Sequence, residues 1–169
     1  MSMRSLMVFF FCVLTVAFSS SRAGAEDIGG RFAVGLNYPG VSVKYGFNSM
    51  LALEGRYQSD SNIGVMGPRL YCVLKQYNNI NLIAGMEADY VTFTGQVSKG
   101  TGYAAEVFIG GECFINHNLS FQIDIGPATV SLSDSATSQS ISGLDTVLNM
   151  GVNYYFGKGN NKTCAEEGK

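Results

Sequence analysis

The sequence predicts an all-β protein, an eight-stranded antiparallel up-and-down barrel that crosses a membrane. From Gly30 onward, polar and apolar residues alternate with a period of two in eight successive runs. Only 14% of the residues are charged, whereas soluble domains carry about 25%. No apolar run after residue 25 reaches the roughly 20 residues that a membrane helix needs. Strands with one apolar face in a charge-poor chain therefore favour a barrel whose apolar face meets lipid.

The N-terminus is predicted to be a cleaved export signal. Arg4 precedes an apolar run from Leu6 to Phe18, and Ala23-Gly24-Ala25 supplies the small residues of a cleavage site. Without the two arginines of this signal, 9 basic residues face 13 acidic ones, a net charge of −4. A nucleic-acid partner would need a basic face, so that class is excluded. The predicted segments are a signal at 1–25, a barrel at 26–157 and a polar tail at 158–169.

The runs and their connections indicate a meander that spans a bilayer. Runs of about ten residues match the roughly 9–11 residues of a tilted membrane strand. Tight turns are predicted at Asn48-Ser49, Asn78-Asn79 and Asn116–Asn118, and longer loops between them, above all Thr94–Thr101 and Ser133–Ser142. Pro39-Gly40 breaks this alternation because it is tight on the long-loop side. Gly67-Pro68 predicts a bulge or bend in the fourth run. The runs have approximate bounds of 31–38, 41–47, 51–58, 63–75, 82–90, 102–115, 119–126 and 148–156.

Alternation alone leaves open which face is lipid and which is lumen. A soluble periplasmic lipocalin-like carrier would turn its apolar face inward around an apolar ligand. The scarcity of charge, the small residues on the polar face and the aromatic residues near strand ends favour the apolar-out arrangement, in which those aromatics form interfacial girdles. The predicted interfacial aromatics are Tyr38, Phe47, Tyr57, Tyr90, Tyr103, Tyr154 and Phe156.

If the apolar face points outward, the charged residues within the runs point into the lumen. Eight strands leave an interior that side chains about fill, and an unpaired buried charge costs several kcal/mol. We therefore expect a paired, structural network that plugs the barrel, in preference to an ion pathway. Its predicted members are Arg31, Lys44, Glu54, Arg56, Arg69, Glu87, Asp89, Glu106, Glu112 and Asp124.

The signal, the eight amphipathic runs, the charged lumen and the ending Asn153-Tyr154-Tyr155-Phe156 resemble small outer-membrane barrels of the OmpA transmembrane-domain and OmpX type. The resemblance covers about residues 28–157. It implies a bacterial outer-membrane location, outer-membrane lipids and the barrel-assembly machinery as partners, and a structural role or a surface-interaction role with an extracellular partner bound through the loops. Phe156 resembles the aromatic residue that ends the closing strand in that family, although here a tail of thirteen residues follows it.

Catalysis, cofactors and metals are not predicted. The resemblance includes lipid-modifying barrels that use a Ser-His pair, and His117 lies three residues before Ser120. An Asn-flanked histidine in a turn on the periplasmic side is better explained as turn chemistry. The cysteines of the predicted barrel, Cys72 and Cys113, lack zinc-site spacing and are interpreted as small apolar residues, with a disulfide between them as the alternative.

Overall fold

The computed structural model describes residues 26–95, 99–134 and 140–157. This part of the chain forms eight strands joined as one closed antiparallel barrel, in the order of the sequence. The all-β, up-and-down class is therefore confirmed. The signal at 1–25 and the tail at 158–169 lie outside the described residues. The strands are β1 Phe32–Asn37, β2 Gly40–Gly46, β3 Leu51–Asp60, β4 Ile63–Tyr77, β5 Ile80–Thr94, β6 Lys99–Phe114, β7 Leu119–Asp134 and β8 Ser140–Phe156.

The barrel closes where β8 pairs with β1, from Phe32 against Phe156 to Asn37 against Gly151. The paired residues, followed once around the barrel from Val152, lead back to Ser142 on the same strand, a shift of ten residues. With about 3.3 Å per residue and about 4.8 Å between strands, this shift tilts the strands by about 40° from the barrel axis. The path runs through Leu36, Val41, Tyr57, Met66, Tyr90, Tyr103 and Ser131.

Asparagines build the connections at one end of the barrel, here called the turn end, which also holds Phe156. The Asn48 Oδ1 accepts hydrogen bonds from the backbone N–H groups of Met50 and Leu51, both at 2.8 Å. Asn116 makes the same turn, with its Oδ1 accepting from the backbone N–H groups two and three residues later at 2.9 Å. Asn78 has a φ of 50°, which asparagine tolerates better than most residues.

The opposite end, here called the loop end, differs from the prediction. Parts of the loops predicted at Thr94–Thr101 and Ser133–Ser142 belong to strands, because β5 ends at Thr94, β6 begins at Lys99, β7 ends at Asp134 and β8 begins at Ser140. The strand lengths also differ from the predicted runs of about ten residues, because β1 and β2 have 6 and 7 residues whereas β4–β8 have 15–17. The added segments of β7 and β8 are rich in serine and threonine, a composition that favoured a loop assignment. One side of the barrel therefore rises well above the other.

The predicted bulge at Gly67-Pro68 was wrong. β4 keeps one register with β5 on both sides of these residues, and both also pair with β3. Gly67 and Pro68 have no register partner on β5. This gap is consistent with the missing N–H of Pro68, which cannot donate to a neighbouring strand. The register shifts instead between Val73 and Lys75, leaving Leu74 as the extra residue near the turn end.

Side chains divide sharply between the two faces of the wall. The exposed face carries most of the large apolar residues, and the enclosed face carries the charged ones. A small apolar cluster lies inside, near the turn end, where Ile28 of the N-terminal segment inserts among Ala52, Phe114 and Tyr155. In the described residues, no helix has the length and apolar character needed to cross a membrane.

Candidate functional site

The enclosed lumen is the candidate functional site because it concentrates the charged side chains of the barrel. All ten charged residues assigned to it from the sequence are buried, none with more than 9% of its surface exposed. They come from β2 to β7 and from Arg31, immediately before β1. The alternation of the strands brings them to one side of the wall, since successive side chains point to opposite faces.

Arg69 lies at the centre of the cluster nearer the loop end. Its Nε is 2.8 Å from Glu87 Oε2, and its Nη2 is 2.7 Å from Asp124 Oδ1. The guanidinium also lies over the ring of Phe108, 4.0 Å from the ring centre. Arg56 Nη2 is 2.5 Å from the other oxygen of Glu87. One carboxylate thus joins two guanidinium groups from adjacent strands, an arrangement that offsets the cost of burying each charge.

A second cluster surrounds Lys44, deeper in the lumen. Its Nζ donates to Gln122 Oε1 at 2.6 Å and is 3.7 Å from oxygens of both Glu54 and Glu112. The Tyr71 hydroxyl donates to Glu54 at 2.6 Å, and it accepts a hydrogen bond from Gln122 Nε2. Because Gln122 also donates to Asp124 at 2.9 Å, the two clusters form one continuous network.

Glu112 is held from three other directions. The hydroxyls of Ser120 and Tyr155 and the side-chain amide of Asn153 all donate to its Oε1, at 2.6, 2.9 and 2.9 Å. These donors stand on β7 and β8, while Glu112 stands on β6. The carboxylate therefore ties three strands together inside the lumen.

The turn end of the lumen is closed by the segment that leads into β1. Arg31 donates to the backbone carbonyl of His117 at 2.5 Å, and its guanidinium lies 5.0 Å from the ring centre of Tyr155. Glu26 is 3.7 Å from Arg31 and contacts His117 Nδ1. The side-chain amide of Asn81 donates to the Glu26 carbonyl at 3.3 Å. Residues 26–31 thus form a polar plug bonded to the barrel wall.

Negative charge is in excess toward the loop end. The Oδ1 of Asp89 is buried without a hydrogen-bond partner among the described residues. Glu106 accepts only long hydrogen bonds, 3.3 and 3.4 Å, from Asn149. Asn149 also accepts from Arg56 Nη1 at 3.0 Å. The network is therefore densely bonded near the turn end and looser near the loop end.

The seven aromatic residues assigned to interfacial girdles are all on the outside. Tyr154 and Phe156 stack edge to face, with ring centres 5.0 Å apart, and Phe47 contacts Tyr45 in the same manner. Three others, Tyr57, Tyr90 and Tyr103, belong to one register row across the wall. Tyr38, on the β1–β2 connection, is 95% exposed.

Sequence reasoning missed the inward-facing aromatics, and it left outer aromatics such as Phe32 and Tyr45 out of the girdles. Tyr71 and Tyr155 are almost fully buried and bond to lumen carboxylates. Their signal was present, since each shares the strand parity of a polar lumen residue. Phe32 packs on Phe156, with ring centres 6.2 Å apart, and it lies at a strand end like the aromatics assigned to the girdles.

His117 and Ser120 bond to different carboxylates. The histidine ring is exposed and contacts Glu26, whereas the serine hydroxyl is buried and donates to Glu112. Cys72 and Cys113 are both free thiols. Within the three described ranges, no three His, Cys, Asp or Glu side chains are grouped to hold a metal ion.

Comparison with known proteins gave no family to which the fold and the lumen can be assigned. No protein-family model, curated protein or solved structure matches this chain.

Proposed function

We propose that this chain is a small barrel of the bacterial outer membrane with a structural role, its lumen plugged by the charged network. The observation that carries the proposal is the distribution of side chains, apolar outside and charged inside. In water this arrangement would leave a large apolar surface exposed. In a bilayer it covers the lipid-facing surface with apolar groups and satisfies the backbone within a closed sheet.

Three further features support a membrane location. The strands β3–β8 have at least the roughly 9–11 residues needed to cross a bilayer when tilted. Among the described residues, Lys75 and Lys99 are the only exposed lysine or arginine side chains, and both lie near strand ends. Aromatic pairs at the turn end suit the headgroup region, where rings with polar tips are favoured.

The alternative, a soluble periplasmic carrier of an apolar ligand, needs an apolar cavity. The interior instead holds Arg69, Glu87, Asp124 and the Lys44 cluster, bonded across its centre. An apolar ligand there would break ion pairs and leave charges without partners. The interior therefore disfavours the carrier.

Electrophoresis and fractionation test the proposal. The full-length chain is expressed in a bacterium with two membranes, and the membrane extract is run in SDS with and without boiling. We expect outer-membrane fractionation and faster migration of the unboiled sample, since a closed barrel resists SDS. A soluble periplasmic protein with one mobility would overturn the proposal and favour the carrier.

A surface-interaction role is the second candidate, and the uneven loop end favours it. β7 and β8 exceed the length needed to cross a bilayer and pair as far as Ser133 against Ser140, which raises this strand pair above the rim. Replacing residues 132–141 by Asn-Gly would join Ser131 to Ser142 through a tight turn. If this role is correct, intact cells lose adhesion to immobilised matrix proteins while the barrel keeps its heat-dependent mobility. Unchanged adhesion contradicts it.

A further inference from the structure

An apolar groove crosses the outer wall of the barrel. Its floor is a register row of small outward residues on four successive strands, Gly55, Pro68, Ala88 and Ala105. The next outward row toward the loop end carries Tyr57, Met66, Tyr90 and Tyr103, which form one wall of the groove. The groove has a volume of about 950 Å³.

The groove exists because side-chain size changes abruptly between adjacent rows. Tyr90 and Tyr103 stand together on its wall, with ring centres 5.6 Å apart and edge to face. At Gly55, an added Cβ would meet no atom within 4 Å, so the floor is open there to the outside. Outward rows on one strand are about 6.7 Å apart, which makes the groove narrow and long.

From this shape we propose that the groove binds the acyl chain of an anionic membrane lipid. The inference rests on the proposed membrane location, since the groove lies in the surface assigned to lipid. A flexible hydrocarbon chain matches both the narrow cross-section and the apolar lining, and burying it follows the ordinary gain for apolar area. The row of wall tyrosines lies on the loop-end side of the floor, and the polar part of the lipid would be on that side.

The negative charge assigned to the lipid headgroup is inferred from the position of Lys99. This exposed lysine begins β6, four residues from Tyr103 and on the same outward face. Four residues span about 13 Å along a strand, and the long side chain shortens the remaining gap to the groove wall. A phosphate above the groove would therefore meet an ammonium group, an attraction that a zwitterionic or neutral headgroup gains less from.

Two glycines offer a matched pair of variants. Gly55 lies in the groove, and Gly111 faces outward on β6 beyond the lining residues, where an added Cβ would make only ordinary contacts, the nearest at 3.8 Å with Ile80. Gly55→Leu fills the groove, whereas Gly111→Leu adds the same side chain elsewhere on the outer wall. Lys99→Gln removes the charge and leaves the groove unchanged.

The test is native mass spectrometry of the detergent-purified barrel with added dipalmitoylphosphatidylglycerol or dipalmitoylphosphatidylcholine. We expect the wild type and Gly111→Leu to retain phosphatidylglycerol, and Gly55→Leu to bind it about tenfold more weakly. Lys99→Gln should bind the two lipids equally. If Gly55→Leu retains phosphatidylglycerol as well as the wild type does, the acyl-chain assignment is wrong. The assignment is also wrong if the wild type forms a dimer that Gly55→Leu disrupts and the other variants do not. Unchanged lipid preference in Lys99→Gln would overturn the anionic part.

Each sample is also run in SDS with and without boiling. A wild type without a mobility shift would count against the membrane barrel itself. A wild type with the shift, but with lipid binding that Gly55→Leu leaves unchanged, would count against the groove alone.

Discussion

Arg69 on β4 is paired at once with Glu87 on the adjacent strand and with Asp124 on β7, at 2.8 and 2.7 Å. Asp124 is 55 residues away in the sequence, so this arginine links opposite parts of the wall. Such a bridge crosses the barrel interior, as the proposed plugged lumen requires.

Glu87→Gln should destabilise the barrel strongly. The carboxylate is the shared partner of Arg56 and Arg69, and its loss leaves two buried guanidinium groups short of a counter-charge. Removing one member of a buried ion pair costs about 3–5 kcal/mol. The measurement is the urea concentration at which the fast-migrating unboiled band disappears. The control, Asp145→Asn, changes an exposed acid and should leave that concentration unchanged; equal effects would contradict the role given to Glu87.

Tyr71→Phe should lower the free energy of unfolding by about 1–3 kcal/mol, which is less than the effect expected for Glu87→Gln. The change removes one hydroxyl that donates to Glu54 and accepts from Gln122 while keeping the ring. Urea titration followed by circular dichroism measures the effect. The exposed Tyr77 provides the control in Tyr77→Phe. Identical stabilities for the two variants would show that the Tyr71 hydroxyl contributes nothing to the network.

Ile109→Lys should hinder insertion into membranes. Ile109 lies on the outer face of β6, between Ala84 and Ile125, and a lysine near the middle of a lipid-facing strand costs about 2–4 kcal/mol. Ile141→Lys is the control because that residue is exposed at the loop end. The yield of heat-modifiable protein in outer-membrane fractions is the readout. We expect a loss for Ile109→Lys only, and equal yields would argue against lipid contact at Ile109.

The plugged lumen predicts that the wild type does not conduct ions. Arg69→Ala combined with Glu87→Ala removes the central pair without changing the net charge of the lumen and should open its wider part. Planar-bilayer recordings of both proteins measure this. We expect conductance steps from the double variant only. If the wild type gives steady steps of the same size, the network does not block the lumen.

The burial of the charged residues was predictable from the sequence, but their pairing was not. Strand parity places Lys44, Arg69 and Asp124 on the polar faces of their runs, and the scarcity of charge together with the aromatic residues near strand ends then assigned that face to the lumen. Which carboxylate Arg69 meets depends on the ten-residue shift around the barrel, and no local pattern carries that number. Tyr71 shares the parity of Arg69 but was overlooked, since aromatic residues were assigned to the outer face by type.

The strand extensions and the bulge were unpredictable for a different reason. Residues 127–134 and 140–147 contain six serine and threonine residues among scattered apolar ones, a composition that resembles a loop. Pro68 breaks sheets in many contexts, but here its missing N–H coincides with skipped pairs to β5 and leaves the register intact. The real bulge at Leu74 has no glycine or proline beside it.

The most direct test of the central claim is quenching of single tryptophans by brominated acyl chains. The chain holds no tryptophan, so Val107→Trp and Phe108→Trp each report one position of β6, the first on the exposed face and the second in the lumen. In brominated-phosphatidylcholine vesicles, the account predicts strong quenching for Val107→Trp and little for Phe108→Trp. Equal quenching, or the reverse order, would contradict an apolar outer face in contact with lipid.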